Sequence, residues 1–120
     1  MALAEPIILV VDDDADLRAY VRQCLSAFRY RSIEAADGAE ALDVLTSIPT
    51  RRIALVVADI NMPRMDGRAL KAAMAADSRL AHIPVLLMTG DAVRSRDGPV
   101  LRKPFNALVL ASATSPLVGR

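Results

Sequence analysis

Four apolar runs in this chain each end in a residue able to do chemistry. Ile7-Ile8-Leu9-Val10-Val11 ends in Asp12-Asp13-Asp14, and Leu55-Val56-Val57-Ala58 ends in Asp59. Pro84 to Met88 leads to Thr89-Gly90, and Val100-Leu101-Arg102 to Lys103-Pro104. Such runs read as parallel strands buried on both faces. In an open α/β sheet, the carboxyl ends of the strands line the crevice where ligands bind. Each residue alone is ambiguous, since an Asp at a strand end also serves as a helix or turn cap. Together they define a chemistry. Carboxylates a few Å apart repel by several kcal/mol at an intermediate dielectric, so one keeps its proton or a hard cation bridges them. Mg²⁺ suits that place, because it takes few protein carboxylates and pairs with phosphate oxygens; Mn²⁺ can substitute. Thr89 offers a hydroxyl donor, Lys103 a point charge, and Gly90 room for a group to approach the backbone. Metal, ammonium and hydroxyl around one nucleophilic carboxylate make a site for phosphoryl transfer to an aspartate.

Positioning these residues requires strands that alternate with helices. After the first run, Leu17, Tyr20, Val21, Cys24, Leu25 and Phe28 recur at helical spacing, with Asp14 as cap. Residues 31–36 read as a short strand, and Asp37 with Glu40 as a capping-box-like start for a helix that Pro49 ends. Residues 53–58 form the third strand. Asn61, Met62-Pro63 and Asp66-Gly67 make a loop, followed by a helix over 68–76. Residues 84–88 and 100–102 are the fourth and fifth strands, and 107–113 a last helix stopped near Pro116. Five alternations predict a single α/β domain over 1–120, a doubly wound five-stranded parallel sheet of flavodoxin-like order 2-1-3-4-5 with right-handed crossovers. In that order the first and third strands are neighbours, so Asp12, Asp13 and Asp59 share one crevice. One crossover is too short. Nine residues, Gly90 to Gly98, separate the fourth strand from Pro99, whereas a full crossover with its helix takes at least about 10–12. The fourth helix is therefore shortened or missing.

The bulk composition narrows the function. Apolar residues make up 53% of the 120 and charged residues 24%, which suits a globular chain. With 15 basic and 14 acidic residues the net charge is +1, which argues against direct nucleic-acid binding or an anionic membrane surface. No apolar run approaches the roughly 20 residues of a membrane helix, and the opening MALAEP lacks the layout of a secretion signal. The expected location is cytoplasmic. Cys24 is the sole cysteine, so it is read as core filler. His82 reads as a solvated loop residue, and Met62, Met65, Met74 and Met88 as core or loop packing. Arg94, Arg96 and Arg102, interleaved with Asp91 and Asp97, read as a solvated face.

These motifs resemble those of the receiver domains of two-component response regulators, chemotaxis proteins among them, over nearly the whole chain. ILVVDDD resembles the family's acidic pocket, DINMPRMDG its phosphoacceptor loop, LLMTG its threonine strand and LRKPF its lysine-proline ending. The resemblance implies that Asp59 is phosphorylated by a histidine kinase or histidine phosphotransfer protein with Mg²⁺, the signal passing to a downstream protein. It implies Asp13 as a direct metal ligand, Asp12 as holder of metal-bound water, and the Asn61 backbone carbonyl as a further ligand. Thr89 and Lys103 would bind phosphoryl oxygens, Asn61 and Asp91 would modulate dephosphorylation, and Pro104 would follow a cis bond. The chain would take part in phosphotransfer and its own dephosphorylation without turning over an external substrate. Val100 stands where the family usually has an aromatic residue, three positions before the lysine, so the usual aromatic switch is not encoded.

Three rivals are weaker. Aspartyl-phosphate hydrolases need a second acid two positions after the nucleophile, and that position is Asn61. A dinucleotide-binding domain needs a Gly-rich turn where Asp12-Asp13-Asp14 stands. A phosphorylation-independent interaction module would suit Val100 and the short crossover, but not the intact acids and lysine.

Overall fold

Five parallel strands, β1 (Ile7–Val11), β2 (Arg31–Ala35), β3 (Ile53–Asp59), β4 (Val85–Thr89) and β5 (Val100–Arg102), form one sheet in the order β2-β1-β3-β4-β5. This is a computed structural model, which describes residues 6–49 and 52–119. The reading of the opening residues as lacking a secretion signal lies outside the described residues. Four α-helices alternate with the strands: α1 (Ala15–Ala27), α2 (Gly38–Ser47), α3 (Gly67–Ala76) and α4 (Ala107–Val118).

Every residue of β1 and β4 is buried, as a strand covered on both faces requires. Alternating side chains feed two cores. Leu9, Val11, Val56 and Ala58 pack with α2 and α3, while Ile8, Val10, Val57 and Met88 pack with α1 and α4. Cys24, Met74 and Met88 are core residues, Met65 packs against the core, and His82 is exposed.

The helices start where acids or amides cap them. Asp14 accepts from the Asp16 and Leu17 N–H groups, Asp37 from Glu40 N–H and Asp66 from Ala69 N–H. Asn106 does the same for Val109 N–H at the head of α4. Each such cap contributes about 1 kcal/mol.

Register sets the functional edge. Val11 lies opposite Ala58, so the next residues in each chain, Asp12 and Asp59, emerge side by side. Thr89 pairs with Arg102, which brings Lys103 to the same edge.

The β4–β5 crossover carries a single 3₁₀ turn, Ser95–Asp97, and no α-helix. At the other end, the expected stop near Pro116 is corrected: α4 runs through Pro116 to Val118 and closes on Gly119, whose φ is 76°. Pro116 lacks the N–H that would reach the Ser112 carbonyl, but Ser112 is exposed, so water can satisfy it. Leu117 and Val118 pack against the core and hold the turn beyond the proline.

Candidate functional site

The edge residues converge. One carboxylate oxygen each from Asp12, Asp13 and Asp59 lies within 4.8 Å of the others. Asp12 and Asp59 are buried, at 1% and 6% exposure, while Asp13 faces solvent. Lys103 Nζ stands 3.2 Å from Asp59 Oδ1 and 3.6 Å from Asp12 Oδ2. The Lys103–Pro104 bond is cis.

Backbone groups hold the acids in place. Asp14 N–H donates to Asp12 Oδ1 at 2.9 Å, and Asn61 N–H donates to Asp59 Oδ1 at 3.4 Å. Arg18, on α1, donates to the Asp12 carbonyl at 2.7 Å. Gly67 fixes the far side of the loop that follows β3. Its N–H donates to the Ile60 carbonyl at 3.0 Å, and a Cβ there would lie 2.4 Å from the Asp59 carbonyl oxygen. Any side chain at Gly67 would push Asp59 out of register.

Burial pushes the carboxyl groups of Asp12 and Asp59 above the usual range. The Asp14 N–H works against this at Asp12, and the Lys103 ammonium works against it at Asp59. Negative charge is thus only partly compensated. Asp12 Oδ2 is buried without a hydrogen-bond partner among the described residues. That oxygen, with the Lys103 ammonium at 3.6 Å but no hydrogen bond, stands beside two further carboxylates, the donor set a hard divalent cation takes.

A latch bridges two loops beside the acids. Asn61 Nδ2 donates to Asp91 Oδ2 at 2.9 Å, joining the β3–α3 loop to the segment after β4. Both residues are exposed, and a solvent-exposed bond of this kind contributes about 0.5–1.5 kcal/mol. Buried Thr89 accepts from Asp91 N–H at 2.9 Å, which leaves its own O–H free to donate. Lys103 N–H donates to the Thr89 carbonyl at 2.8 Å, tying the residues after β5 to the end of β4. Gly90 is exposed, with nothing within 4 Å of where a Cβ would stand.

Sequence reasoning missed Arg18 and misplaced Asp97. Asp97 is buried at 3% exposure, not part of a solvated face. Arg68 grips both its carboxylate oxygens at 2.7 and 3.0 Å, and Arg94 N–H donates to one of them at 2.7 Å. The Arg68 guanidinium holds the Asp97 carboxyl down at about 2. The missed signal was the short crossover itself, which has to be anchored by something other than a helix.

Among the described residues no helix is long and apolar enough to cross a membrane. The model of the response regulator receiver domain matches residues 8–110. Sensor histidine kinase TmoS of Ectopseudomonas mendocina is 33% identical over 122 residues, covering 95% of this chain and 12% of that protein. The chain thus spans about an eighth of that relative's length. Chemotaxis protein CheY of Pseudomonas aeruginosa is 38% identical over 113 residues, 86% of this chain and 88% of that one. Among solved structures, chemotaxis protein CheY4 of Vibrio cholerae superposes with a TM-score of 0.84 at 29% identity, covering 95% of this chain and 99% of that one.

Proposed function

Because the chain belongs to the response regulator receiver domain family of two-component systems, we propose that it is a phosphoacceptor whose acceptor is Asp59. The donor is a histidine kinase or a histidine phosphotransfer protein, and the location is cytoplasmic. The observation that carries this reading is the placement of Asp59 at the end of β3. It is buried, beside two other acids, with Lys103 Nζ 3.2 Å from one oxygen.

In the transfer step an Asp59 carboxylate oxygen attacks the phosphorus of a phosphohistidine. The new P–O bond forms as the P–N bond breaks, and the departing imidazole takes up a proton from solvent. Asp12, Asp13, Asp59 and the Asn61 carbonyl would hold Mg²⁺, which offsets the charge on carboxylates and phosphoryl oxygens. Lys103 supplies a fixed cation to those same oxygens. Thr89, its hydroxyl oxygen already engaged by Asp91 N–H, donates its own hydrogen to a phosphoryl oxygen. The reverse fate is hydrolysis: water attacks phosphorus and Asp59 leaves as the carboxylate. Asn61 and Asp91, joined across the mouth, govern that water's approach. The chain transfers a phosphoryl group to itself and loses it, without turning over an external substrate.

A phosphorylation-independent interaction module is the second reading. It is favoured by Val100, which packs against the core on the α3 side beside a crossover lacking its helix. Intact mass after incubation with a small acyl-phosphate donor, with and without Mg²⁺, separates the two. The phosphoacceptor gains one phosphoryl group only with the metal. An unchanged mass under both conditions supports the interaction module.

A further inference from the structure

The loop from Asp12 to Asp14 is short and closed on itself. Asp12 leaves β1 with its N–H donating to the Ala35 carbonyl at 3.2 Å, and Asp14 caps α1. Arg18 ends the first turn of that helix, its N–H on the Asp14 carbonyl at 3.0 Å. From there its side chain folds back, and Nη1 donates to the Asp12 carbonyl at 2.7 Å. The carbonyl of a residue only 1% exposed needs a donor. Without one, the Asp12 peptide would be free to turn and carry its carboxylate with it.

The guanidinium is itself held. Its Nε donates to Glu34 Oε1 at 3.2 Å, and the Arg18 side chain is largely buried. Glu34 stands on β2, opposite Val10, so the fork joins the sheet to the loop. Arg22, one turn further along α1, binds the same carboxylate and both oxygens of Ser32. The two arginines share the Glu34 tether, and Arg18 adds the bond to Asp12.

That bond has a force to resist. The carboxylates of Asp12, Asp13 and Asp59 crowd together, and like charges at such separations repel. Mg²⁺ demands near-ideal octahedral geometry, so acids splayed by their own repulsion bind it weakly.

We propose that Arg18 is a positioning residue for the metal site. By fixing the Asp12 peptide to the Glu34-anchored sheet, it holds the Asp12 carboxylate where Mg²⁺ needs it. This rests on the proposed function, in which these acids bind Mg²⁺. The sign of the effect separates position from charge. A guanidinium beside the acids repels Mg²⁺, so losing its charge alone would tighten metal binding. Losing the position loosens it. A clasp that merely joined α1 to β2 would do neither, and Arg22 is the control for such a clasp.

The test is Mg²⁺ titration of the full chain, followed by amide shifts, for wild type, Arg18→Met, Arg18→Lys and Arg22→Met. Amide dispersion reports the folding of each. Arg18→Met should weaken Mg²⁺ binding at least about tenfold, the low end for a group that orients a metal ligand. Arg18→Lys keeps the charge but offers one ammonium to two acceptors, so it should weaken binding by less. Arg22→Met should stay within about twofold of wild type, as expected for an independent site. In an Asp12→Asn background, Arg18→Met should cost no more than about twofold further, because the carboxylate it positions is gone. A wild type that binds no Mg²⁺ at millimolar concentrations overturns this inference together with the metal reading of the acids. Wild-type binding that both Arg18 variants leave unchanged or tighten overturns the inference alone. So does an equal loss in Arg22→Met, or full additivity with Asp12→Asn.

Discussion

Lys103 Nζ lies 3.2 Å from Asp59 Oδ1, and its own backbone N–H is bonded to the Thr89 carbonyl. One residue therefore couples the Asp59 carboxylate to the end of β4. Lys103→Ala should leave Asp59 able to accept a phosphoryl group from a small donor, at a lower rate. The shift changes that phosphorylation causes at Thr89–Gly98 should disappear. Amide spectra of the two proteins with and without donor check this, and identical changes in both would remove Lys103 from the signalling role.

Mg²⁺ should stabilise the fold, because it relieves repulsion among Asp12, Asp13 and Asp59. At 100 times its dissociation constant the gain is about 2.7 kcal/mol, a Tm rise on the order of 10 °C. Asp13→Ala should lose most of that rise. A melting temperature insensitive to millimolar Mg²⁺ would count against a metal at these acids.

The Asn61–Asp91 latch makes a kinetic prediction. Both side chains can orient water, so the phosphoaspartate should be short-lived. Replacing both with Leu should lengthen its lifetime by up to about a hundredfold, the low end of what a positioned acid–base group contributes. Decay followed by phosphate release reads this directly, and an unchanged rate would refute it.

The Arg68–Asp97 staple should show in acid. Asp97 titrates near 2 in the folded chain against an ordinary value of 3.8, so its stabilisation is complete above about 4 and lost as pH falls through about 2. Asp97→Asn should melt lower than the parent at neutral pH, with the gap constant down to about pH 5. Between about pH 4 and 2 the gap should close. A gap independent of pH would mean that the ion pair contributes nothing.

Much of this was legible in the sequence because each signal was local. Buried runs such as Leu55–Ala58 announce strands, and Asp14, Asp37 and Asp66 announce helix starts. The convergence of Asp12, Asp13, Asp59 and Lys103 follows once the strand order is known. Illegible were features decided by packing across the chain. Pro116 signals a stop, but Leu117 and Val118 gain enough from the core to carry α4 past it. Asp97 looked like one more surface charge, because its partner Arg68 is 29 positions away. Nothing local marks that pairing. The missing crossover helix was foreshadowed by nine residues too few to hold one.

The most direct measurement compares wild type with Asp59→Asn after incubation with an acyl-phosphate donor and Mg²⁺, by intact mass and hydroxylamine sensitivity. The wild type should gain one hydroxylamine-sensitive phosphoryl group. The variant should gain none while its amide spectrum stays folded. Equal labelling of the folded variant would contradict the assignment of Asp59 as acceptor.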